Sequence, residues 1–181
     1  MRSISLPAVL LAALLSDGCL VLALQPAYDA ESIVFEERFL GSWENPTDGT
    51  RAAIERGEWR SYKISYSDRS ATRTFQGNLT RIGDTTFLDV TEMRGSDPGP
   101  FLVPLHGVMK VTIGADAAEL SLLNYMWFER ALEQKDAAGI ALALDDRRNI
   151  VITAPTRDVR RWLLRPPDGA FSPPMRFRRV R

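Results

Sequence analysis

The segment SYKISYS, residues 61–67, alternates without a break: Tyr62, Ile64 and Tyr66 fall on one side, Ser61, Lys63, Ser65 and Ser67 on the other. A strict period of two marks a strand with one buried face, whereas a helix would scatter these residues around its circumference. Such a strand needs strand neighbours, and the chain supplies them. TRTFQGNLTRI, residues 72–82, follows the turn-like SDRSA; Gly83 and Asp84 form a two-residue hairpin link, and TTFLDV, residues 85–90, returns. Upstream, a strand at Trp43 is matched by one near Ala52 to Arg56. Downstream, RGSDPGP at 94–100 reads as loop, and FLVPLHGVMKVTI, residues 101–113, places Val103, Leu105, Met109, Val111 and Ile113 on one side. Pro104 marks an edge or bulge near the start of that strand. After GAD turns the chain, AELSLL, residues 118–123, completes a meander of about seven strands.

The period changes at Asn124. NYMWFERALEQKDAAG offers Asn124 as N-cap, Phe128, Ala131 and Leu132 as an apolar stripe, and Gly139 as a stop, which predicts a helix. NIVIT, residues 149–153, is a short apolar strand. Thr156 then caps TRDVRRWLLR, where Val159, Trp162 and Leu163 share a face and Arg157, Arg160, Arg161 and Arg165 point away; Pro166 and Pro167 end it. PPMRFRRVR reads as a basic tail with Phe177 packing back. The fold class is mainly β (α+β): an antiparallel β-meander forming a barrel or strongly curved sheet, with two C-terminal helices against one end or face. At 181 residues, 45% of them hydrophobic, the chain can bury one core, and residues 35–181 make a single domain.

Charge excludes one function class and leaves another open. The 23 basic and 23 acidic residues cancel, so the footprint of a nucleic-acid binder is missing. The C-terminal fifth is nevertheless basic. Arg157, Arg160, Arg161 and Arg165 either meet anionic lipid headgroups or form a solvated face balanced by the acidic residues between 28 and 60. His106, the only histidine, reads as a satisfied structural or surface residue, because no set of soft-metal ligands accompanies it. No GxSxG turn and no phosphate-cradling glycine pattern occurs, and the adjacent acids Glu36–Glu37 and Asp145–Asp146 read as solvated loops and caps. No enzyme activity and no cofactor is expected.

The N-terminus predicts location. MRSISLPAVLLAALLSDGCLVLALQ carries Arg2, an apolar run from Ile4 to Leu15, and small residues before the single cysteine, Cys19: the form of a secretory signal over residues 1–18. Three outcomes stay open, namely lipid attachment at Cys19, simple cleavage near Ala23, and an uncleaved anchor. Leu15, Ser16, Gly18 and Cys19 resemble a bacterial lipobox, with Asp17 setting Leu15 one place further from the cysteine. That resemblance implies that Cys19 becomes the lipidated first mature residue, carrying palmitate-type chains, and that residues 19–34 serve as lipidation site and tether.

FEERFLGSW, residues 35–43, resembles the segment that begins the first strand of lipocalins and related calycin barrels, through Phe35, Glu36, Arg38, Phe39, Gly41 and Trp43. The resemblance implies that Trp43 closes the barrel floor beneath an Arg or Lys from near the last strand; the plain alternative is an ordinary core tryptophan. With TTFLDV, PLH, the helix around Tyr125 to Trp127 and the ending ITAPTRDVRRWLL, the chain after Gly18 is similar to a family of uncharacterised bacterial envelope lipoproteins. This implies a domain tethered in the bacterial envelope and facing the periplasm. The expected function is a lipid-anchored protein that binds a small apolar ligand within its curved sheet. The candidate interior residues are Trp43, Tyr62, Ile64, Tyr66, Phe75, Leu79 and Phe87, which serve a filled core equally well. The alternative is a non-catalytic scaffold module that meets an envelope protein partner through its basic C-terminal end. An apolar cavity of roughly 300 Å³ or more would separate the two.

Overall fold

A computed structural model of the chain describes residues 20–93, 103–134 and 138–180. The signal segment, Cys19 and the loop at 94–100 lie outside the described residues. Two short strands come first, β1 (Val21–Ala23) and β2 (Ile33–Val34), followed by a 3-10 turn at Glu37–Phe39. The meander then runs through β3 (Gly41–Glu44), β4 (Arg51–Arg56), β5 (Tyr62–Ser67), β6 (Thr72–Ile82), β7 (Thr85–Glu92), β8 (His106–Ile113) and β9 (Ala117–Leu122). Helix α1 (Tyr125–Glu133), β10 (Leu142–Leu144), β11 (Ile150–Ile152), helix α2 (Thr156–Leu164) and β12 (Met175–Val180) complete the order.

Strands β3 to β9 together with β12 form a closed eight-stranded antiparallel barrel. The Gly83–Asp84 hairpin joins Ile82 to its partner Thr85, with Gly83 at φ +59° in the first turn position. Strand β8 starts at His106, and Val103 before Pro104 is exposed rather than facing inward. The closing strand corrects the sequence reading. PPMRFRRVR is not a tail: β12 pairs Met175–Arg178 with β9 and Arg178–Val180 with β3, and so joins the two edges of the sheet. Its inward residues Met175, Phe177 and Arg179 do alternate, but the third is an arginine, which hides the period.

A second correction concerns residues 20–34. They are packed into the domain, not held off it as a tether: Val21, Ala23, Ala27 and Ile33 are buried. β1 lies parallel to β11 and meets β8 through Ala23 and His106. Ala27 is gripped on both backbone groups. Its N–H donates to Asp89 Oδ2 at 2.8 Å, and its carbonyl accepts from Arg160 Nη1 at 3.0 Å. Asp89, fully buried, also holds His106 Nδ1 at 2.7 Å, so the lone histidine is a satisfied structural residue.

Two apolar cores lie on opposite sides of the barrel wall. The outer one packs α1, α2, β1 and β11 against Ile82, Phe87 and Val108, with Phe128 and Trp162 rings 5.6 Å apart. Asn124 caps α1 as expected, its side chain accepting from Trp127 N–H. Thr156 does not cap α2; Pro155 holds that position and Thr156 is the first helical residue, with no side-chain cap. The inner core fills one end of the barrel with Phe39, Tyr62, Leu79, Val111 and Phe177.

That end is sealed at Trp43. Gly41 takes φ +117°, and a Cβ there would fall 2.7 Å from Arg179 Nη1, so both the backbone and the neighbouring guanidinium require glycine. The Trp43 indole N–H donates to Phe39 O at 2.9 Å, fixing the ring across the barrel axis. Arg179 lies over that ring at 4.3 Å, donating to Leu40 O at 2.7 Å, to Ala115 O at 2.9 Å and to Arg38 O. One side chain thus covers the tryptophan and satisfies three carbonyls at the rim. Arg179→Ala should lower the free energy of unfolding by about 2–3 kcal/mol, from the stacking and hydrogen bonds removed. Arg179→Lys should restore less than half of it, since an ammonium lacks the planar fork. Urea denaturation checks both; an alanine variant as stable as the parent would contradict this view of the floor.

Candidate binding cavity

Above the Trp43 floor the barrel is not filled. A cavity of about 220 Å³ remains, walled by β4 through Ala52 and Ile54, by β5 through Ile64 and Tyr66, and by Phe75, Leu88, Val90 and Met109 of the next three strands. Leu120, Leu122, Met175 and Phe177 close the circle, with Phe39, Trp43 and Ala118 below. The floor residues Phe39, Trp43, Ala118 and Phe177 are buried, whereas Tyr66, Phe75, Leu122 and Met175 are partly exposed; the space therefore opens at the end opposite the Trp43 seal. Leu20 completes the lining at that open end.

The barrel reaches this arrangement by register. Leu79 pairs with Leu88 and both face inward; Thr80 pairs with Phe87 and both face outward. Phe87 is therefore not an interior residue: it lies in the outer core beneath the helices, a correction that follows from the one-residue offset between neighbouring side chains in a strand. Of the other candidates, Trp43, Ile64, Tyr66 and Phe75 line the cavity. Tyr62 and Leu79 belong to the same inner core but pack its filled end. Sequence reasoning set Met109 on the inward face of its strand and Phe177 against the fold without naming either among the interior candidates, and it missed Leu88 and Leu120, for which the parity of Leu88 against Phe87 was the available signal.

Chemically, the space accepts hydrocarbon and little else. Among the described residues no charged side chain lines it. The Trp43 N–H is already used on Phe39, and burial raises the Tyr66 phenol above its ordinary range while a hydrogen bond with Thr50 lowers it. A charged group brought here would lose its hydration without a partner. At about 220 Å³ the space falls short of the roughly 300 Å³ expected of a barrel that binds drug-sized ligands, while an apolar cavity of roughly 150 Å³ already holds benzene. The guest that fits is a small apolar molecule or the end of an alkyl chain. Among the described residues no group of His, Cys, Asp and Glu could hold a metal ion.

The arginines of α2 do not form one surface. Arg160 is mostly buried, donating to Ala27 O, Ser32 Oγ and Thr80 Oγ1 and pairing with Asp29, which removes it from the expected membrane-facing set. Arg157 and Arg161 are exposed but share the Asp158 carboxylate, and Arg165 is exposed at the helix end. No helix of the described residues is long and apolar enough to cross a membrane. No protein-family model, no curated protein and no solved structure matches the chain.

Ala52 faces the cavity between Trp43 and Tyr66, its partners in the ladder. Ala52→Leu should fill space at no cost in hydrogen bonds and stabilise the fold by about 0.5–2 kcal/mol in urea denaturation. Destabilisation would mean that the interior is already close-packed. Tyr62 supplies a pH signature. Fully buried, its phenol is pushed up to about 12, chiefly by burial, against an ordinary value of 10.0. Between those values the native state holds a proton the unfolded chain has lost, so this stabilisation is complete below pH 10 and is lost as pH rises toward 12. Stability followed through that window should fall, and Tyr62→Phe should make the fall shallower; an unchanged slope would show the hydroxyl to be solvated.

Proposed function

We propose that the protein is a non-catalytic, lipid-anchored component of the bacterial envelope, a member of the uncharacterised lipoprotein family it resembles, facing the periplasm and holding a small apolar guest in its barrel. The observation that carries this reading is the cavity of about 220 Å³, apolar throughout its described lining, sealed by Trp43 and Arg179 and open beside Leu20. A filled core would have left no such space at native packing density. The location rests on the secretory form of residues 1–18 and on the lipobox-like approach to Cys19. With Leu20 at the cavity mouth, an anchor at Cys19 would hold that mouth toward the membrane surface. The guest would be recognised by exclusion from water, and the missing charges would select against ionic groups.

The alternative, a scaffold that meets a partner through its basic end, has less support. Arg160 is committed to Ala27 and Ser32, Arg157 and Arg161 share one carboxylate, and Arg176–Arg179 belong to the closing strand of the barrel. Native mass spectrometry of the full chain extracted from its own envelope tests the reading. The expected spectrum begins at Cys19, carries the mass of acyl chains and retains apolar mass inside the fold. A chain beginning elsewhere without added mass would refute the anchor.

A further inference from the structure

We infer that the guest of the barrel is the chain's own anchor: an alkyl chain carried on Cys19 turns back past Leu20 and stows its end above Trp43. The inference rests on the reading that Cys19 is acylated, and it names the occupant of the same site.

Leu20 joins the cavity to the anchor residue. It is at once a lining residue of the cavity and the residue bonded to Cys19. Consecutive Cα atoms lie about 3.8 Å apart, so an acyl chain on the residue before Leu20 would need only a short reach to enter the mouth. Nor can Leu20 drift away. Its N–H donates to Asn149 Oδ1 at 3.2 Å and its carbonyl accepts from Ile150 N–H at 2.8 Å, while β1 behind it pairs with β11. Further along, Asp89 and Arg160 hold Ala27 on both backbone groups. Leu20 is thus fixed at the rim, where a free tether would have carried a lipid elsewhere.

Size and chemistry favour a tethered occupant over a free one. A free fatty acid or phospholipid brings a headgroup, and among the described residues no charged side chain lines the space to receive it. An alkyl chain joined to Cys19 has its polar linkage outside, beside Leu20, and presents hydrocarbon alone to the interior. About 220 Å³ takes the end of one chain, not the whole of it. A short covalent link also supplies an effective concentration of about a millimolar, so a socket of only modest intrinsic affinity would be occupied most of the time. A bilayer buries the entire chain where the cavity buries its end. The stowed form therefore belongs to protein between membranes, and the cavity empties when the anchor inserts.

The test is competition, using full-length protein extracted from its envelope, freed of detergent by dialysis and compared with a Cys19→Ser variant treated alike. The probe is fluorobenzene, read by its fluorine magnetic resonance on titration, with native mass spectrometry of the same samples. The expected result is an acylated parent that binds the probe about tenfold more weakly than Cys19→Ser, the factor a millimolar tethered competitor imposes on a socket of about 0.1 mM affinity. Adding Ala52→Leu to the Cys19→Ser variant should remove the probe binding. If the acylated parent binds the probe as tightly as Cys19→Ser, the stowed anchor is overturned while the apolar site stands. An unmodified Cys19 overturns both the anchor and its stowing. Failure of Cys19→Ser itself to bind overturns the cavity as a binding site.

Discussion

Closure at Trp43 sets both the join of the sheet edges and the floor of the interior. A meander of strands has two free edges and two open ends, and one arginine deals with an edge and an end together. Arg179 belongs to β12, the strand that pairs with both β9 and β3, and its guanidinium covers the Trp43 ring while binding carbonyls from the turn before β3 and the turn after β8. Gly41 is part of the same device, since its missing Cβ is where the guanidinium lies. With the floor fixed, Phe39, Tyr62, Leu79 and Phe177 fill the adjoining end, and the side chains further up no longer meet across the barrel.

The unfilled half costs dispersion energy that a packed core would retain. It persists because the wall is held from outside. The helices, β1 and β11 build a second core on the outer face of β7 and β8, and the buried Asp89 ties His106 of the wall to Ala27 of the N-terminal segment. A tyrosine or an arginine in the same space would have needed a partner; the lining supplies aromatic and aliphatic surface, with Tyr66 turning its hydroxyl toward Thr50. The N-terminal segment, fastened at Leu20 and Ala27, links the open end of the barrel directly to the residue expected to carry the membrane anchor.

Much of this was legible in the residues. The alternation of Tyr62, Ile64 and Tyr66 placed β5 and the Gly83–Asp84 pair placed a hairpin, because each depends on local backbone geometry, whereas the seal at Trp43 followed only from what the resemblance of Phe39, Gly41 and Trp43 implies. What failed did so for physical reasons. β12 was hidden because its inward arginine is satisfied only by Trp43 and three distant carbonyls. β1 was hidden because three residues carry no period, and only the parallel partner Ile150–Ile152 makes them a strand. Phe87 was assigned to the wrong core because alternation tells which residues share a face, not which face is inside once both are apolar. The cavity itself is a difference between enclosed volume and side-chain volume, a quantity no single segment contains.

We read the space above Trp43 as a hydrocarbon site rather than a packing defect. Its most direct test is nuclear magnetic resonance of the envelope-extracted protein with labelled methionine methyl groups, since Met109 and Met175 both line the cavity. The account predicts Overhauser contacts from those two methyls to alkyl methylenes, lost when Ala52→Leu fills the space. Contacts to water alone, or to no guest at all, would contradict it.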